Sequence, residues 1–231
     1  MAIILNLETT SKSCSVCLSK NGWPWIVRED HNPNGHAELI TQFIQSVLDT
    51  ANIGWEEVDA IAISKGPGSY TGLRIGTSTA KGICYALNKP LLAVDTLQSL
   101  AWVSQQHYKV EKSAFISLID ARRMDVYAAV FNSKNQTVQE PYFCTVNENS
   151  FLDLLEKMDI EHLYISGDGA AKYSTLIGDN PKVTFSPIQQ VSARHLPYLA
   201  EQLFQEKVFE DLAYFEPFYL KTPHITKPKK K

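Results

Sequence analysis

The chain has 231 residues, is 44% hydrophobic and 20% charged, and carries 22 Lys+Arg against 25 Asp+Glu. That length and balance suit a chain with a substantial core and exclude a disordered or fibrous one, and no run approaches the eighteen or so apolar residues of a membrane span. Five lysines (Lys221, Lys227, Lys229, Lys230 and Lys231) fall in the last eleven residues, so residues 1–220 hold 17 basic against 25 acidic groups, a net −8 that ill suits gripping nucleic acid unaided.

The opening Met1-Ala2-Ile3-Ile4-Leu5-Asn6 lacks the basic start and the apolar length of a signal peptide, so a cytoplasmic chain is expected. Residues 2–8 read as a strand ending at Glu8, followed by the polar loop Thr9-Thr10-Ser11-Lys12-Ser13. Strands over about 14–20 and 23–29 flank Asn21-Gly22, a strong hairpin signal. Cys14 and Cys17 have C-x-x-C spacing, but alternation along a strand points them to opposite faces, which predicts buried, reduced thiols. Asn34-Gly35 leads into a helix of about 36–52 whose apolar residues Leu39, Ile40, Phe43, Ile44, Val47, Leu48 and Ala51 cover close to half its circumference. Val58–Ser64 reads as a buried strand, and Lys65-Gly66-Pro67-Gly68-Ser69-Tyr70-Thr71-Gly72 as a loop opening a helix to about Leu87. Leu91–Val94 is a strand, after which Asp95 or Thr96 caps a helix to about His107.

The plan then restarts. Ala114–Ile119 ends in Asp120, turns through Ala121-Arg122-Arg123 and returns as Met124–Phe131, while Leu163–Ser166 runs into Gly167-Asp168-Gly169. The two acids lie 112 residues apart and the two Gly loops 101, in the same order, which predicts a duplicated strand–acid–hairpin–helix–strand–Gly-loop unit. A helix of about 193–207 begins after Ser192, and residues 216–220 are extended. The expected domains are 1–105, with 208–222 returning to it, then 106–207, then a basic, disordered tail over 223–231.

Two loops could carry chemistry. Glu8 with Thr9, Thr10 and Ser11 suits a phosphate or its metal-bound water, and equally suits a hairpin whose polar side chains serve their own backbone. In Gly66-Pro67-Gly68-Ser69-Tyr70-Thr71-Gly72 the glycines permit close backbone approach, Ser69 or Thr71 caps the helix, and the helix start favours an anion. It lacks the Gly-Lys-Ser/Thr of a Walker A loop, and its third Gly is one residue late for a dinucleotide fingerprint. Gly72, Gly76 and Ala80 follow at four-residue spacing, a small-residue face that packs against a partner or against the second lobe. The six histidines form no H-x-x-x-H or H-E-x-x-H pair, and no Gly-x-Ser-x-Gly elbow is present.

Leu5–Cys17 with its Glu8-Thr9 turn, Lys65–Gly76 with its Gly-Pro-Gly-Ser-Tyr-Thr-Gly-Leu-Arg-Ile-Gly run, Ile119-Asp120-Ala121-Arg122 and Pro217-Phe218-Tyr219-Leu220 resemble the TsaB (YeaZ) family of bacterial tRNA threonylcarbamoyladenosine biosynthesis proteins. The resemblance spans nearly the whole chain and implies an α/β, two-lobed actin/Hsp70/sugar-kinase fold of duplicated mixed-sheet domains. One departure is Glu8, where that fold commonly has Asp. It also implies a non-catalytic, activating subunit for the paralogue TsaD, which transfers threonylcarbamoyl to N6 of adenosine 37 in tRNAs reading codons that begin with A. TsaD holds its metal through two histidines whose matching positions here are Thr96 and Leu100, so no catalytic metal is expected. Glu8, Thr9, Thr10, Asp120, Gly167, Asp168 and Gly169 are then remnants of nucleotide-phosphate loops, beside the Gly66, Pro67, Gly68, Ser69 and Thr71 loop. The implied partner face on the 36–52 and 70–87 helices is Leu39, Phe43, Ile44, Val47, Gly72, Leu73, Gly76 and Ala80, serving TsaD or a homodimer. The ATPase TsaE joins such complexes, with ATP or ADP and Mg as components of the assembly and tRNA reached through the complex. An ATP-dependent small-molecule kinase or ATPase built on Glu8, Asp120 and Gly167-Asp168-Gly169 is the alternative, and a peptidase a further one.

Overall fold

The computed structural model describes residues 2–31 and 36–221; Asn34-Gly35 and the lysine-rich segment 223–231 lie outside the described residues. The first half builds β1 (Ile3–Glu8), β2 (Cys14–Lys20), β3 (Trp23–Asp30), α1 (His36–Ala51), β4 (Ala60–Ser64), α2 (Tyr70–Leu87), β5 (Leu91–Val94) and α3 (Thr96–Tyr108). The second half repeats the series as β6 (Ser113–Asp120), β7 (Asp125–Asn132), β8 (Thr137–Thr145), α4 (Asp153–Lys157), β9 (His162–Ser166), α5 (Ala170–Ile177), β10 (Val183–Phe185) and α6 (Pro197–Gln205). The sheets have matching orders, β3-β2-β1-β4-β5 and β8-β7-β6-β9-β10. In each, an antiparallel meander joins two parallel strands fed by helical crossovers.

Local chemistry sets these boundaries. Asn21 and Gly22 both have positive φ, the backbone a tight hairpin between twisted strands requires. Ser69 caps α2 by accepting the Gly72 N–H at 3.3 Å, and Asp95 caps α3 by accepting those of Leu97 and Gln98 at 2.9 and 3.1 Å. Burial raises the Asp95 carboxyl above its usual range, while those N–H groups and Lys65 pull it down. β4 is buried along its whole length because helices cover both faces of its sheet.

Helices are exchanged between the lobes. Leu5 and Leu7 face a core shared with α1 and α2, whereas Ala2 and Ile4 on the other face pack on Leu196, Leu199 and Ala200, at and within α6. Symmetrically, Ile116 and Leu118 face the second lobe's own core, and Phe115 and Ile119 pack on Leu97, Leu100 and Ala101 of α3. α3 therefore covers the second sheet although its residues lie almost wholly within 1–105, and α6 covers the first although it lies within 106–207. The inner face of each sheet is apolar at alternate positions, and the helix that follows its last strand crosses to bury the other's face. The segment after α6 returns to the first lobe. Glu210 N–H donates to Leu91 O at 2.9 Å, Phe215 enters the first core, and Phe218 N–H donates to Lys65 O at 2.7 Å.

None of the four cysteines forms a disulfide. Cys14, Cys17 and Cys84 are buried, and burial pushes each thiol up to about 12. A thiolate-seeking reagent at pH 8 should label none of these three in the native chain and all of them after denaturation. Rapid native labelling at Cys14 or Cys17, read by peptide mass, would contradict this packing. Among the described residues, no helix is long and apolar enough to cross a membrane.

Candidate functional site

At the end of β1 the Glu8 side chain is fully buried. One carboxylate oxygen accepts the Thr10 N–H at 2.5 Å and the other accepts the Ser64 hydroxyl. Burial raises the Glu8 carboxyl above its usual range, and the hydrogen bonds from Ser64 and Thr10 offset part of that rise. With both oxygens engaged inside the protein, Glu8 does not fit the role of ligand to a hydrated metal. Thr9 donates its hydroxyl to Gly72 O at 2.7 Å, and Thr10 O accepts the Ser69 N–H at 2.6 Å. The β1–β2 turn is thus bolted to the start of α2.

That contact explains the small residues of α2. A Cβ on Gly72 would stand 1.9 Å from Thr9 O, and one on Gly76 would stand 2.4 Å from Thr9 Oγ1. Leu73 and Ala80 are buried in the same lobe, as are Ile44 and Val47 of α1, while Leu39 and Phe43 are partly buried against its core. Of the residues expected at a partner face, Gly72 and Gly76 make room for the chain's own Thr9, Leu73, Ala80, Ile44 and Val47 are buried within the lobe, and Leu39 and Phe43 keep part of their surface. The apolar face of α1 packs on β2 and β3 beneath it and on α2 beside it, with Leu39 and Phe43 partly exposed at its edge. What α2 presents outward is Arg74, Ser78, Gly82 and Tyr85, and α1 presents Thr41, Gln45 and Asp49.

The second lobe repeats the first turn. Asp120 Oδ1 accepts the Arg122 N–H at 2.5 Å and pairs with Lys172 Nζ at 2.9 Å, and Asp120 N–H donates to Asp168 Oδ1 at 2.8 Å. Burial would raise the Asp120 carboxyl, but Lys172 and the Arg122 N–H outweigh it and hold the group below its usual value. Asp168 is raised, by burial first and by Asp120 as well. Gly167 has φ +95, and a Cβ there would meet Leu118 O at 2.2 Å; Gly169 N–H donates to the same oxygen at 3.0 Å. The Gly167-Asp168-Gly169 loop is clasped to the end of β6.

Thr96 and Leu100 lie at the start of α3. The Thr96 hydroxyl accepts the Gly66 N–H at 3.1 Å, and Leu100 is fully buried between α3 and the second sheet. Neither side chain fits a metal ligand. Among the described residues, no group of three or more His, Cys, Asp or Glu could hold a metal ion.

Between the lobes lies a cleft of about 1110 Å³. It brings together Thr10, the start of α2 (Gly68–Gly72), Asp120 and Asp168, and it adds Lys12, Arg122, Arg123, Tyr219 and Lys221, none of which sequence reasoning singled out as a cleft residue. One signal was available: two arginines occupy a tight turn where Asn and Gly are usual.

A model of the family TsaD, tRNA N6-adenosine threonylcarbamoyltransferase, matches residues 31–229. The tRNA threonylcarbamoyladenosine biosynthesis protein TsaB of Haemophilus influenzae is 27% identical over 224 residues, 94% of this chain and 93% of that protein. The solved structure of YeaZ from Pseudomonas aeruginosa superposes with a TM-score of 0.81 at 25% identity, covering 95% of this chain and all of that one. A putative N-acetylmannosamine kinase from Listeria monocytogenes shares only the fold, with a TM-score of 0.54 at 9% identity.

Proposed function

The chain belongs to the family of TsaD, tRNA N6-adenosine threonylcarbamoyltransferase, with its likeness to TsaB (YeaZ), and from that premise we propose that it is a non-catalytic, activating subunit of the complex that forms N6-threonylcarbamoyladenosine at position 37 of tRNAs reading codons that begin with A. The relatives are threonylcarbamoyladenosine biosynthesis proteins, which supports involvement in that pathway. One observation supports the non-catalytic role. Where the transferase paralogue is expected to hold its metal stand Thr96, whose hydroxyl is spent on Gly66, and Leu100, which is buried. Engagement of both Glu8 oxygens argues in the same direction and against a kinase or ATPase built on that acid. Nucleotide and Mg in the assembly then belong to the partners, TsaD and the ATPase TsaE.

Activation by such a subunit is a shift in the partner's population of conformations, brought about by helix–helix contact. The outward face of α2 suits it. A Cβ at Gly82 would meet nothing within 4 Å, so no intrachain contact repays a helix-interior glycine that costs about 1 kcal/mol relative to Ala. One turn on, Tyr85 is 83% exposed. Gly82→Glu should leave the melting temperature unchanged or slightly raised, abolish co-purification with the TsaD-type partner or with a second copy, and abolish restored modification of tRNA. A Gly82→Glu chain that still co-purifies and restores modification would remove this face from the assembly.

A further inference from the structure

We propose that the mouth of the interlobe cleft is a contact surface for a single-stranded RNA loop, a direct contact that goes beyond an RNA reached only through partner subunits. The inference rests on the functional reading above for the identity of the RNA, and on the following observations for its place.

The cleft is electropositive on an otherwise acidic body. Of the acids lining it, Asp120 is paired with Lys172 at 2.9 Å, Asp125 lies 3.9 Å from Lys221, and Asp168 accepts the Asp120 N–H. Lys12, Arg122 and Arg123 line the same cleft and form no ion pair among the described residues. Counted with Lys172 and Lys221, five cations stand here against three acids, Lys12 acting on both Asp120 and Asp168, so a local positive excess persists although residues 1–220 carry a net −8.

Aromatic rings stand beside these charges. Tyr70 and Tyr219 pair at 5.0 Å between centroids, and Phe218 and Tyr219 remain 38% and 37% exposed at the rim. Cations for phosphates with aromatic faces for unstacked bases are the combination that binds single strands. A duplex offers no unstacked base to those rings. A lone nucleotide would find no metal-holding carboxylate at Glu8.

The turn that presents the arginines supports the same reading. Arg122 and Arg123 both adopt left-handed backbone, φ 73 and 50, a conformation that suits Asn or Gly and penalises Arg. Arginines kept there, aimed by a strained turn at the cleft, are spent on charge rather than on folding.

The same strain supplies a clean variant. Arg122→Asn with Arg123→Gly removes two charges and installs residues the turn prefers, so the fold is retained or made firmer. The full chain, parent and double variant, is titrated with an RNA stem–loop bearing an unmodified adenosine in its loop, with the same RNA as a full duplex, and with ATP, over a range of salt. The expected result is preference for the stem–loop, about tenfold weaker binding by the variant, and a salt slope shallower by about 1.4, from two phosphates at roughly 0.7 each. The lysines of 227–231 are common to both chains and cancel in the comparison. Equal affinity and slope for parent and variant would overturn the inference, as would equal binding of duplex, or displacement of the stem–loop by ATP. Co-purification with the TsaD-type partner, measured on the same two chains, separates the two failures: a parent that neither pairs nor activates sinks the functional reading, whereas pairing without any RNA effect sinks this one alone.

Discussion

Gly72→Ala is expected to destabilise the chain by about 4 kcal/mol and to lower its melting temperature by about 10 °C, a severe effect for one added methyl. The new Cβ would lie 1.9 Å from Thr9 O and 3.0 Å from Thr9 C, both backbone atoms, so no side-chain rotation can relieve the clash. Thr9 cannot retreat cheaply, because its hydroxyl is bonded to Gly72 O and the next residue's carbonyl accepts the Ser69 N–H. Relief would require parting the β1–β2 turn from α2, losing both links and disturbing the Glu8 carboxylate bound to Ser64 and Thr10. The matching control lies ten residues on in the same helix. Gly82→Ala meets open space and should gain up to about 1 kcal/mol from helix propensity alone. Differential scanning calorimetry of the two variants checks both signs, and a Gly72→Ala chain melting within 2 °C of the parent would show that the α2 glycines are not there for Thr9.

This pair also marks where the sequence was legible. Four-residue spacing of Gly72, Gly76 and Ala80 marks a small-residue face expected to meet another helix, but spacing names a face and not its neighbour. The neighbour, Thr9, lies 63 residues from Gly72 and arrives only when β1 and β4 pair in parallel. Strands β1 to β5, the Asn21-Gly22 hairpin and the repeated plan were readable because turn chemistry and apolar runs are local signals. β8, α4, α5 and β10 were not, since β8 is a mostly exposed edge strand broken by Pro141 and the others span only five, eight and three residues. The exchange of α3 and α6 between lobes was also hidden: alternation within Phe115–Ile119 shows that both faces are covered but not which helix covers each. At the site, Glu8 and Asp120 were rightly paired as equivalent turns. Glu8 is sealed and Asp120 stays at the cleft, because Ser64 stands beside Glu8 whereas Lys172 reaches Asp120 from α5.

His195 should make the chain acid-labile in a specific window. Its ring is buried in the turn Ala193–His195, wedged between β1, β2 and α3, and its Nδ1 has no hydrogen-bond partner among the described residues. Burial, helped by the neighbouring Arg194 charge, pushes the imidazole from its usual 6.5 down to about 4. Between those values the unfolded chain binds a proton that the folded chain refuses, so stability rises with pH across the window and is lost as pH falls from 6.5 towards 4. A shift of this size corresponds to about 3 kcal/mol. Glu8 and Asp168 act in the opposite sense: their raised folded values give stability that is present at low pH and lost as pH rises through them. Both remain in a His195→Gln chain, which cannot take up the proton, so their contributions cancel when parent and variant are compared. Urea denaturation of both chains from pH 4 to 7.5 should give curves that diverge below pH 6.5, the parent losing about 3 kcal/mol more than the variant. Parallel curves would mean that the imidazole finds solvent or a partner in the folded chain. This turn holds the 191–195 segment to the first sheet through Ser15 and Val191, so the proton would be taken up at the junction between the lobes.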